Sequence, residues 1–103
     1  MRILQNGDIE LCNDSYRVSV NGKEVKLTRI EYRLLQAFLE SRGVVQSRPE
    51  LLQAAWDTKA RIETRTVDMH VARLRSKLGP PGSLIETVRG VGYRFRNGAD
   101  SAG

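Results

Sequence analysis

The segment RTVDMHVARLRSKL, residues 65–78, concentrates the side chains of this 103-residue sequence that could do chemistry. Arg65, Arg73, Arg75 and Lys77 stand there against a single acid, Asp68, and the one histidine of the chain, His70, lies among them. Guanidinium groups offer forked donors that fit a phosphate or a base edge, and lysine adds a mobile point charge. The chemistry indicated is non-covalent recognition of an anion. Covalent and metal chemistry have little to work with. The chain has one histidine and one cysteine, Cys12, with no nucleophile motif, no metal-ligand cluster and no phosphate loop carrying a lysine. No enzymatic activity, cofactor or metal is expected, and a lone thiol excludes an intrachain disulfide.

The charge is placed unevenly. The formal net charge is +5. Residues 1–56 hold 8 Lys and Arg against 7 Asp and Glu, whereas residues 57–96 hold 9 against 4. A localised basic excess suggests an acidic partner, nucleic acid first and a membrane surface second. A merely solvated basic face, or a protein-binding module for an acidic partner, stays open at this point. No apolar run approaches the ~20 residues that span a bilayer, and the opening MRILQNGDIEL lacks the apolar core of a secretory signal. No membrane association is expected.

The elements that must position these residues follow from local signals. Length suggests a single domain over residues 1–96, with the tail NGADSAG, 97–103, expected to fray. NGD at 6–8 and CNDS at 12–15 are turn chemistry, and YRVSV at 16–20 alternates with Tyr16, Val18 and Val20 on one face. Asn21-Gly22 then joins it to KEVKL, as a type I′ hairpin turn requires, so residues 2–27 read as a small antiparallel sheet. Thr28 with Glu31, and Ser47 with Glu50, have capping-box spacing and open two helices. The first places Ile30, Leu34, Leu35, Phe38 and Leu39 on one face, with Gly43 suited to its C-terminal cap. The second, with Pro49 in its first turn, runs to about Trp56. Residues 57–63 form a polar connection to a third helix, Arg65–Leu78, capped by Thr64 and ended by GPPG at 79–82. Two β-prone runs, Leu84–Val88 and Tyr93–Arg96, flank RGVG as a closing hairpin whose tip is made tight by Gly90 and Gly92. Sheet, three helices and hairpin make an α+β fold of winged helix-turn-helix type.

On a helical wheel Val67, Val71, Leu74 and Leu78 share a narrow inward face. That stripe is core packing. It also argues against membrane insertion, since it is narrow and has no aromatic residue. Thr66, Met69, His70, Arg73 and Lys77 spread over another sector, Arg65, Ala72 and Ser76 lie opposite the stripe, and Asp68 and Arg75 occupy the remaining flank. A self-sufficient surface helix interleaves acids and bases four apart. This one does not, and a phosphate backbone would offset the repulsion.

With RTVDMHVARLRSKL followed by ETVRGVGYRF, and with LTRIEYRLLQAFLESRGVVQSRPELLQAAW ahead of them, residues 2–96 resemble the OmpR/PhoB-type output domain of bacterial two-component response regulators. The resemblance implies a four-stranded N-terminal sheet, a recognition helix over 65–78 in the major groove, and a wing over 84–96 in the minor groove. It implies sequence-specific binding of double-stranded DNA at tandem half-sites, dimerisation on DNA, transcription regulation, and a cytoplasmic, nucleoid-associated location. An upstream phosphorylatable receiver domain is expected but lies outside this chain, and RNA polymerase is expected to meet the loop 57–63. By position, the resemblance makes Arg73 the main base reader, with Asp68 and Met69 facing base edges. It makes Arg65, Thr66, His70 and Arg75 phosphate contacts, adds Thr87, Arg89 and Tyr93 from the wing, and puts Trp56 near the backbone; Lys77 completes the expected DNA-contacting set. For Asp68 a salt bridge to Arg65 or Arg75 is the competing role. Ala72 stands where relatives often carry a second arginine, and Asp57 where glycine is common.

Overall fold

The structure, a computed structural model, describes residues 3–12, 14–56 and 63–96. Four short strands, β1 (Ile3–Asn6), β2 (Ile9–Cys12), β3 (Arg17–Val20) and β4 (Lys23–Val25), form an antiparallel sheet in chain order. Asn21 and Gly22 have φ of 54° and 81°, the two positive values that a type I′ hairpin needs. Tyr16 departs from the alternation expected of it. It precedes β3 with φ 53°, is exposed, and tilts its ring against Tyr32 at 5.0 Å.

Helices α1 (Arg29–Glu40) and α2 (Arg48–Ala55) both open on complete capping boxes, Thr28 with Glu31 and Ser47 with Glu50. Each box satisfies two backbone groups that a helix start leaves without partners. Helix α3 runs Arg65–Leu78, but Thr64 ahead of it has helical backbone angles and makes no side-chain cap. A threonine caps only from an extended conformation, so the expected cap is not formed. The Gly43 expectation also changes. The C-cap of α1 is Ser41, and Gly43, with φ 80°, donates its N–H to the carbonyl of Phe95 instead.

A strand unforeseen in the sequence, β5 (Val45–Ser47), follows this turn. It pairs with β7 (Gly92–Phe95), which pairs in turn with β6 (Ile85–Val88), so the expected hairpin is part of a three-stranded sheet. The link from α3 is a 3₁₀ turn, Pro80–Leu84. Gly90 takes the left-handed tip position with φ 78°. Gly92 serves another purpose: a Cβ there would lie 2.0 Å from the carbonyl oxygen of Gln46 and 2.8 Å from Ser47 Cα. Its missing side chain lets β5 close on β7.

Helix α1 sits centrally and touches α2, α3, β1 and β7. Its Leu34, Leu35, Phe38 and Leu39 meet Leu51 and Ala55 of α2, the α3 stripe, Ile9, Leu11 and Val18 of the first sheet, and Ile85, Tyr93 and Phe95 of the second. Val67, Val71, Leu74 and Leu78 are all buried, as the wheel requires. Each contributes about 1.5–3 kcal/mol by leaving water, so the core fixes the position of α3 and leaves its outer face free. No described helix is long and apolar enough to cross a membrane.

Candidate nucleic-acid interface

The outer face of α3 and the β6–β7 hairpin lie on the same side of the core, joined by side-chain contacts. Seven cations are described between residues 63 and 96, and their partners divide them. Arg94 and Arg96 pair with Glu86 at the base of the hairpin. Lys77 Nζ lies 2.7 Å from Oε1 of Glu31, which is only 1% exposed. Arg75 turns along the helix to the hairpin, where Nε and Nη2 donate to the Ile85 carbonyl and Nη2 donates to Thr87 Oγ1 at 2.9 Å. Arg65 meets Glu63 at 2.6 Å, but both side chains are largely in solvent and such a pair is weak. Arg73 and Arg89 have no hydrogen-bond or ion-pair partner among the described residues. Both are exposed, one in mid-helix and one at the hairpin tip.

Asp68 is held by a residue that sequence reasoning missed. Its Oδ1 accepts from Nε of Arg48 at 2.8 Å and from the hydroxyl of Tyr93. Neither Arg65 nor Arg75, the partners considered for it, is the one found. Burial pushes the Asp68 carboxyl up, but the Tyr93 hydroxyl and the Arg48 guanidinium outweigh burial and hold it below the usual aspartate value. Burial, followed by the hydrogen bond to Asp68, raises the Tyr93 hydroxyl above its ordinary value, so it remains a donor. The guanidinium groups of Arg48 and Arg75 lie 5.5 and 5.4 Å from the Tyr93 ring centroid, a cation–π arrangement on each count. Tyr93 is thus buried with its hydroxyl spent inside the protein. A clue to Arg48 did exist. It is the first residue of α2, where a cation opposes the helix dipole unless an acid answers it.

The remaining expected residues are exposed or half-buried. Met69 is 49% exposed, and Ala72 and Ser76 leave shallow, open surface beside Arg73. The Nδ1 of His70 lies 2.9 Å from the Thr66 carbonyl and its ring meets Trp56 edge-on at 5.0 Å. A carbonyl only accepts, so Nδ1 carries the proton and Nε2 is the atom left for a partner. Trp56 is the C-cap residue of α2 and packs partly against the core. Of the expected polymerase-facing loop, residues 57–62 lie outside the described residues, as does the tail 97–103. Among the described residues there is no group of three or more potential metal ligands.

Capped helices, an exposed cationic helix face and a clamped hairpin make this a winged-helix domain. Residues 22–95 match the family described as "Transcriptional regulatory protein, C terminal", and the chain belongs to that OmpR/PhoB-type family. It is 38% identical over 96 residues to the response regulator ArlR of Staphylococcus aureus, covering 91% of this chain and 44% of that protein. The chain thus spans less than half the length of the curated relatives it matches. Among solved structures it resembles the DNA-binding domain of response regulator AdeR in complex with an intercistronic region, with a TM-score of 0.81, 32% identity and coverage of 91% and 98% of the two chains. It also resembles the Klebsiella pneumoniae RstA DNA-binding domain in complex with the RstA box, with a TM-score of 0.81, 25% identity and coverage of 93% and 98%.

Proposed function

We propose that this domain binds double-stranded DNA sequence-specifically and controls transcription as the output domain of a two-component response regulator. Helix α3 enters the major groove, and the β6–β7 tip reaches the minor groove. The observation that carries the reading is the sparing of Arg73 and Arg89 where most neighbouring cations are tied into the fold. An unpaired guanidinium on a helix held by its opposite face is a ready base reader. Arg73 would take guanine O6 and N7, worth about 1–3 kcal/mol of discrimination. Met69 would meet a thymine methyl, and Oδ2 of Asp68 would accept from a cytosine amino group. Arg65, Thr66, His70 and the Trp56 indole would hold phosphates, and Arg89 would enter the minor groove. The Thr87 hydroxyl accepts from Arg75 and keeps its own hydrogen for a phosphate. Arg75, Lys77 and Tyr93 leave the contact set and serve its geometry.

The wider assignments follow the family: tandem half-sites bound by a dimer, an upstream receiver domain whose phosphorylation favours that dimer, RNA polymerase at segment 57–63, and a cytoplasmic location. Selection of duplexes from a random pool, followed by anisotropy titration of the recovered sequence across salt concentrations, tests the reading. A direct repeat spaced near one helical turn and a steep fall of affinity with salt are expected. Undetectable or salt-independent binding refutes it.

A further inference from the structure

Asp68 and Arg75 lie seven residues apart on α3, two helical turns, and so occupy one flank about 10 Å apart along the axis. Each grips a different strand of the hairpin. Asp68 holds the hydroxyl of Tyr93 on β7, and Arg75 holds Thr87 and the Ile85 carbonyl on β6. Tyr93 and Thr87 are register partners, so the two grips close on one row of the sheet. The core packing of Ile85 and Phe95 and the pairing of β7 with β5 hold the body of the hairpin. The two contacts, separated along the axis, add the constraint that sets its angle to α3. Arg48 secures the arrangement from a third element, since its Nε holds Asp68 and its guanidinium covers the Tyr93 ring.

Partly buried ion pairs of this kind gain little stability over apolar packing, because desolvation cancels most of the attraction; their best-attested use is to fix one registry among alternatives. The geometry points to such a use here. We propose that Arg48, with Asp68, Tyr93 and Arg75, forms a clamp that sets the offset between the base-reading Arg73 and the wing-tip Arg89, and that Arg48 and Tyr93 are positioning residues for DNA recognition. The proposal rests on the DNA-binding reading above. Its consequence is that the clamp acts on the contribution of Arg89 and leaves that of Arg73 untouched, because α3 is anchored separately by four buried side chains.

Double-mutant cycles on the full chain test this, with a duplex selected by the unsubstituted domain as probe. Arg48→Met is combined with Arg89→Ala, and separately with Arg73→Ala. The first pair is expected to depart from additivity by at least about threefold in affinity, since coupled sites show interaction terms and independent ones do not. The second pair is expected to add. Arg48→Met should also lower the dependence of log affinity on log salt by about 1, because it draws the Arg89 charge out of the minor groove. Should Arg48→Met fail to fold, Tyr93→Phe keeps the ring, removes only the hydroxyl, and carries the same two cycles. Additivity in the Arg89 cycle, or equal coupling in both cycles, overturns the clamp while leaving DNA binding intact. Absence of salt-dependent binding by the unsubstituted domain overturns the DNA-binding reading and the clamp with it.

Discussion

Replacing Lys77 by methionine separates a structural cation from a DNA-contacting one. Glu31 is 1% exposed, and its Oε1 accepts both the Thr28 backbone N–H at 2.8 Å and the Lys77 ammonium at 2.7 Å. Methionine keeps most of the apolar stem and leaves the carboxylate buried without its counter-charge. Breaking a buried pair in this way costs about 3–5 kcal/mol. Lys77 is 38% exposed, and water replaces part of what is lost, which lowers the expected cost to about 2 kcal/mol. In urea titrations followed through the single tryptophan, Trp56, the midpoint should fall by about 1–2 M, given a slope of about 1–2 kcal/mol per M for a chain of this size. The pH dependence has a definite sign. Burial raises the Glu31 carboxyl, but the Lys77 hydrogen bond and the Thr28 contacts outweigh burial and hold it below the usual glutamate value. The folded state therefore binds that proton more weakly than the unfolded chain. Its contribution is fully present above about pH 4.3, the unfolded value, and is lost as pH falls through the lower folded value. Without Lys77, burial dominates and the variant regains stability relative to the parent on acidification. The difference between the two should be greatest near pH 7 and shrink below about pH 4. A midpoint unchanged at neutral pH, or a difference that does not narrow in acid, refutes the reasoning. The salt dependence of DNA binding should also be unaltered, and a shallower one would return Lys77 to the interface.

Arg73→Ala should weaken binding to the selected duplex by about 1–3 kcal/mol and flatten preference at one base pair, read by competition with single-substituted duplexes. Arg89→Ala should instead weaken all sequences similarly and reduce the salt slope by about 1. Gly92→Ala should separate β5 from β7, since its Cβ would strike backbone at 2.0 Å, and circular dichroism should show a lower melting temperature.

Signals confined to a few residues were legible in the sequence. Both capping boxes, the Asn21-Gly22 turn and the Val67, Val71, Leu74, Leu78 stripe depend on spacing within a turn or two. What escaped depends on distant pairing. Strand β5 is three residues without alternation, and it exists because β7, far along the chain, offers a free edge and a glycine to receive it. Lys77 looks on a wheel like one more outward cation, and its partner Glu31 lies 46 residues away. Asp68 and Arg48, 20 residues apart, meet only because α2 crosses near α3. Arg73 and Arg89 were candidates through the family resemblance, yet it took the whole fold to show that their neighbours were otherwise engaged.

The buried Asn6, last residue of β1, donates its side-chain N–H to the carbonyl of Arg96 just past β7, and Arg42 clasps the Gln5 carbonyl beside it. This latch gives the domain a mechanical joint. A displacement of β1 is passed through Asn6 to the end of β7 as well as through α1 to α3, so the two sheets and the helices carry load together.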